Sequence, residues 1–144
     1  MKLPIQSAAQ LGFTDAYIID ATSITALGTG NQFTIGYLPA GGVCTRACVH
    51  EITTSAGTST DLVLDVGTTG ADPDEMIDAL DLDGLTKAAF NTGDVLVNTA
   101  AGYCINNTAS ALPIYAEVNF TGTVTAGKWL IGLEILDPAK LAEI

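Results

Sequence analysis

The sequence predicts an all-β fold, a single-domain antiparallel β-sandwich of jelly-roll-like type with one short acidic helix. Three observations carry that expectation. About seven short apolar runs recur at the spacings typical of sandwiches and barrels. Breaks rich in Gly, Asn and Thr, such as Gly28-Thr29-Gly30-Asn31 and Ala56-Gly57-Thr58-Ser59, separate them. In the clearest runs apolar and polar residues alternate, because successive side chains leave a strand in opposite directions and only one face is buried.

Residues 1–15 read as an N-terminal arm, with Leu3, Ile5, Leu11 and Phe13 apolar and Pro4, Gly12 and Ser7-Ala8-Ala9 working against a regular strand. Residues 16–144 form the sandwich. Its strands are expected at Ala16–Asp20, Phe33–Leu38, Val43–Thr54 and Thr60–Val66. In the last of these Leu62, Leu64 and Val66 share one face. Gly67 and Gly70 turn the chain. Asp72, Pro73 and Glu75 then match an N-cap, a first helical position and the third residue of a capping box. Met76, Ile77 and Leu80 would give that helix its apolar face. Leu85–Phe90 reads as a further helical turn and Val95–Asn98 as a short apolar run. A loop rich in Gly, Asn and Ala follows from Thr99 to Leu112. Ile114–Phe120 and Trp129–Leu136 are the clearest strands. They are expected to pair as an antiparallel hairpin, with Ile114, Ala116, Val118 and Phe120 inward and Tyr115, Glu117 and Asn119 wet.

The chain has 144 residues, 48% hydrophobic and only 15% charged, so it can fill a core but has little charge to solvate its surface. Part of that surface is expected to be covered by another chain. The net charge is −11, and the cations Lys2, Arg46, Lys87, Lys128 and Lys140 are scattered. Nucleic-acid binding needs clustered Lys and Arg that displace counterions, and an anionic membrane repels such a chain, so neither is an expected partner. The first residues lack the continuous apolar core of a signal peptide, and no run has the length of a membrane-spanning helix. A soluble intracellular product is expected.

The side chains that could carry chemistry do not assemble into a motif. Asp72, Asp74, Glu75, Asp78, Asp81 and Asp83 could offer oxygen ligands to a hard cation, but the glycine and glutamate of a calcium loop are misplaced. Helix-end electrostatics and solvation account for them. Cys44, Cys48 and His50, with Cys104 distant, invite a metal reading. On a strand, however, Cys44 and Cys48 would lie about 13 Å apart, beyond zinc or disulfide reach. Cys104 could meet either one across the sheet, and buried unpaired thiols are the expectation. His50 has no strained nucleophile elbow beside it. Gly28-Thr29-Gly30 lacks the rest of a phosphate loop. No metal, no cofactor and no enzymatic activity are expected.

The stretch Asp65-Val66-Gly67-Thr68-Thr69-Gly70-Ala71-Asp72-Pro73-Asp74, then Ile77–Asp83, then Thr123-Val124-Thr125-Ala126-Gly127-Lys128 before a final apolar strand, resembles small virion structural proteins of tailed bacteriophages, of the capsid decoration or cement type. The likeness spans roughly residues 60–137. It implies a non-enzymatic protein, made in the host cytoplasm, that binds the outer surface of the shell formed by the major capsid protein. It also implies homo-oligomers, trimers at symmetry positions. The apolar arm residues Leu3, Ile5, Leu11 and Phe13 would then supply part of the grip. The alternative is a virion adhesion or receptor-binding sandwich that recognises a host-surface glycan through Tyr103, Asn106 and Asn107.

Overall fold

The computed structural model describes residues 1–2, 12–85, 87–90, 96 and 103–141. Nine strands run through them: β1 (Asp15–Asp20), β2 (Gln32–Leu38), β3 (Val43–Gly57), β4 (Thr60–Gly67), β5 (Ile77–Asp81), β6 (Ala88–Phe90), β7 (Cys104–Ile105), β8 (Leu112–Thr121) and β9 (Val124–Leu136). They form two antiparallel sheets. The first has the order β1-β9-β3-β6, with β7 also on β3; the second has the order β2-β8-β4-β5. β6 and β7 lie along the same edge of β3, opposite Cys48–His50 and Val43–Cys44 respectively, so they are two halves of one interrupted strand. Counted so, eight strands change sheet at every step except β4 to β5, in two Greek keys. This is a jelly roll.

The alternating pattern sets the core. Leu62, Leu64 and Val66 of β4 and Ile114, Ala116 and Val118 of β8 face inward from one sheet. Ala47 and Val49 of β3 and Trp129, Ile131 and Leu133 of β9 face inward from the other, and together they make one cluster. Each fully buried aliphatic or aromatic side chain contributes about 1.5–3 kcal/mol relative to exposure.

Three expectations are corrected. The acidic stretch is not a helix: Asp72–Asp74 are irregular and Ile77–Asp81 is the edge strand β5. Its register on β4 slips between Leu64↔Leu80 and Val66↔Ile77, and Ala79 takes a positive φ of 48°. This bulge puts one extra residue between two inward positions, so Ile77 and Leu80 acquire the three-residue spacing of a helix while lying on a strand. Glu75 is not part of a capping box either. Its carboxylate accepts the backbone N–H groups of Thr68 (2.8 Å) and Thr69 (3.4 Å) and the Thr69 hydroxyl, which closes the β4–β5 loop. Second, Ala88–Phe90 is strand β6 where a helical turn was expected. Third, β8 and β9 do not form a hairpin. They lie in different sheets, and the chain crosses between them at Thr121–Thr123, where Thr58 N–H donates to the Thr123 carbonyl (2.9 Å). Of the Val95–Asn98 run only Leu96 is among the described residues; it is buried, and its N–H donates to the Met76 carbonyl at 2.9 Å.

The helices are α1 (Ala21–Leu27) and α2 (Pro138–Leu141). Asp20 caps α1: its Oδ1 accepts Ser23 N–H (2.8 Å), and Ser23 Oγ accepts Asp20 N–H (3.1 Å). The Ser23 N–H bond holds the Asp20 carboxyl below its ordinary range. A depressed carboxylate stabilises the fold above its unfolded pKa, and that contribution disappears as pH falls through the folded value. Asp20→Ala is expected to cost about 1 kcal/mol at neutral pH, and the difference should shrink in denaturant melts run at acidic pH.

Candidate functional site

The outer face of the first sheet carries a strap. Phe13 lies against Gly132, where any β-carbon would sit 2.7 Å from the ring, and the Arg46 guanidinium covers the ring at 5.1 Å from its centroid. Arg46 also donates to the Gly12 carbonyl and pairs with Glu134 at 3.1 Å. Thr14 N–H donates to the Leu133 carbonyl (3.1 Å), and its hydroxyl accepts Ile135 N–H (2.8 Å). The strap thus continues β1 along β9. Lys2 bridges to Tyr17 and pairs with Asp15 at 3.1 Å. Phe13, one of the predicted contact residues, is therefore half-buried against its own sheet. Leu3, Ile5 and Leu11 lie outside the described residues.

Beside the strap a groove of about 490 Å³ runs between Phe13, Tyr37, Pro39, Ile135, Leu136 and Leu141, with Asp15, Asp137 and Lys140 at its walls. Tyr37, Leu136 and Leu141 are 62%, 54% and 64% exposed. Ladder register extends this surface. Val43 is paired on one side with Leu136 and on the other with Ile105, which is 43% exposed. Half-exposed apolar side chains gathered at one end of a sandwich exceed the scattered singles of an ordinary surface. Sequence reasoning missed this patch. Its members come from four separated segments, and only the strand order brings them together.

The alternative glycan residues are placed differently. Asn106 is fully buried: its Nδ2 donates to the carbonyls of Leu38 (3.0 Å), Pro39 (2.9 Å) and Ser110 (2.8 Å). Its Oδ1 accepts Thr108 N–H (2.9 Å) and the Thr108 hydroxyl (2.7 Å). Asn106 has no capacity left for a ligand; it holds the loops together. Tyr103 and Asn107 are exposed.

Acidic residues gather on the outer face of the second sheet. Asp65 and Glu117 are register partners on β4 and β8. Asn119 Nδ2 donates to Glu117 Oε1 (3.0 Å) and Asp65 Oδ2 (3.4 Å), Gln32 Nε2 to Glu117 Oε2 (2.9 Å), and Ala79 N–H to Asp65 Oδ1 (2.6 Å). Burial first, and then the charges of Asp78 and Glu117, push the Asp65 carboxyl above its ordinary range. A carboxylate raised on folding lowers stability as pH rises through that range. Asp65→Asn keeps an acceptor for Ala79 and removes the charge. The variant is expected to be more stable than the parent at neutral pH, with the gain vanishing in acid, as read from urea midpoints at the two pH values.

Among the described residues no three His, Cys, Asp or Glu side chains converge as a metal site would require. Cys48 and His50 both point outward from β3. Burial pushes the Cys48 thiol up, which is opposite to the activation a nucleophile needs. Among the described residues no helix is long and apolar enough to cross a membrane.

No protein-family model and no curated protein sequence matches the chain. Among solved structures it is similar to a chain of the cyanophage Pam1 capsid asymmetric unit, with a TM-score of 0.51 and 15% identity over 82% of this chain and 79% of that one. At that identity the likeness is one of fold.

Proposed function

We propose that this protein is a structural component of a bacteriophage virion, a capsid decoration protein that binds the outer surface of the assembled major capsid shell and stabilises it. The observation that carries the proposal is the jelly-roll likeness to a phage capsid chain over most of both chains. The exposed apolar end at Tyr37, Leu136, Leu141 and Ile105 supports it, because such a surface suits contact with another protein. So does an acidic chain with scattered cations, which suits an outer position away from packaged nucleic acid. In this proposal the apolar end and the arm residues Leu3, Ile5, Leu11 and Phe13 make the contact, the protein acts without catalysis, and copies associate as trimers.

The test is co-sedimentation with undecorated shells at low and high salt. Full-length protein is expected to bind with little salt dependence, because apolar contacts are not screened. Leu136→Asp and Tyr37→Ser change exposed side chains and should leave the fold intact while weakening binding at least about tenfold, or 1.4 kcal/mol. Deletion of residues 1–13 should weaken it as well. A full-length protein that never sediments with shells sinks the capsid role; unchanged binding by the truncated chain removes the arm from it. Sedimentation velocity of the free protein reads the trimer.

A further inference from the structure

β7 is two residues long, and both pair with β3: Ile105 with Val43 and Cys104 with Cys44. Directly opposed residues of an antiparallel ladder point to the same face, with Cα atoms about 4.5–5.5 Å apart. A disulfide accepts Cα separations of about 4.4–6.8 Å. Cys44 and Cys104 are both free thiols buried on the interior face. The Cys44 Sγ contacts the Arg46 carbonyl at 3.5 Å and the Glu134 backbone, and Cys104 contacts the Thr68 side chain; thiol hydrogen bonds are weak, and a turn about χ1 gives them up at small cost. Cys48 cannot compete. It lies on the other face of β3, opposed by Gly132 and Phe90.

From this register we infer that Cys44 and Cys104 are a redox modification site, a cross-strand dithiol that oxidises to a disulfide and fastens the returning half of the interrupted strand to β3. With a small-molecule disulfide as oxidant the step balances. The Cys104 thiolate attacks one oxidant sulfur and expels the other half as a thiolate. The Cys44 thiolate then attacks the Cys104 sulfur and releases the second half. Two protein thiols lose two electrons and two protons, and the oxidant's S–S bond is cleaved to two thiols. Burial pushes Cys44 up to about 12 and Cys104 up to about 11. Few thiolates exist at neutral pH, so the exchange is slow, and Cys104, the more exposed of the two, is the entry point. In a reducing compartment the pair stays a dithiol.

The test treats the full chain with excess oxidised glutathione at mildly alkaline pH, both native and during refolding from denaturant, followed by non-reducing peptide mapping. The expected product is a Cys44–Cys104 linked peptide lighter by two hydrogens, formed slowly by native protein and faster on refolding, with Cys48 still open to alkylation. Cys48→Ser should form the same link and Cys104→Ser should form none. The denaturation midpoint of the linked protein should rise and return on reduction. A link that includes Cys48, stable glutathione adducts in place of the link, no link in either arm, or a lowered midpoint overturns the inference.

Discussion

Asn106→Ala is expected to cost about 3 kcal/mol of folding stability, because it removes one fully buried amide that serves several buried and part-buried groups at once. The side chain stands where β2 ends, where β7 gives way to the loop before β8, and beside the Pro39–Gly42 turn. It donates to Leu38, Pro39 and Ser110 and accepts from Thr108, while its backbone N–H donates to the Gly42 carbonyl and its carbonyl accepts Gly41 N–H. Alanine leaves the buried Leu38 carbonyl and the part-buried Pro39 and Ser110 carbonyls without that donor. Asn106→Asp is the sharper experiment. It keeps the shape but replaces the donating amide with a carboxylate that would face three carbonyl oxygens. Its stability should fall further as pH rises through the carboxylate range and recover partly in acid, where the protonated group can donate once. Asn107→Ala, one residue away and exposed, should stay within about 0.5 kcal/mol. Denaturant midpoints of the variants decide the matter. Equal losses at positions 106 and 107 would refute a hub at Asn106.

The second large effect is expected at Gly127. Its φ is +140°, and a β-carbon there would collide with the six-membered ring of Trp129, which is fully buried. The Trp129 indole N–H finds no acceptor among the described residues, so packing alone holds the ring in place. Gly127→Ala should therefore cost about 1–3 kcal/mol in backbone strain and about as much again in displaced packing. The two parts can be separated. In a Trp129→Leu background, itself destabilised by several kcal/mol as large-to-small core changes are, the added cost of Gly127→Ala should shrink to the backbone part. Strict additivity would mean that the two residues are not coupled.

What could be read from the sequence was local, and what could not was relational. Leu62, Leu64 and Val66, and likewise Ile114, Ala116 and Val118, alternate cleanly, and they lie inward as a period of two requires. The acidic stretch deceived for a local reason: the bulge at Ala79 makes a strand imitate helical spacing, and Asp72-Pro73-Asp74-Glu75 supplies the composition of a helix start. α1 went unexpected because Thr22, Ile24 and Thr25 favour strands, while its capping partner is Ser23 where Glu or Gln is the familiar signal. The supposed hairpin of β8 and β9 failed because nearness in sequence does not fix the sheet to which a strand belongs. The same limit hid the apolar end and the pairing of Cys44 with Cys104. Strand rise sets Cys44 about 13 Å from Cys48, but only the register shift between Cys44 and Arg46 puts the two on opposite faces, and only topology brings Cys104 opposite one of them.

β1 lies beside β9, residue for residue from Asp15↔Leu133 to Asp20↔Lys128, and β9 in turn is the partner of β3. The first sheet therefore has no centre until β9 has left the ribosome: β1 and β3 must wait, unpaired with each other, for the last of the nine strands. Folding of this kind is dominated by distant pairings and is slow, with strand edges open in the interval. A ribosome-stalled chain ending before Val124 should remain protease-sensitive throughout its first sheet. Emergence of β9, more than that of β1 or β3, sets when the sheet closes.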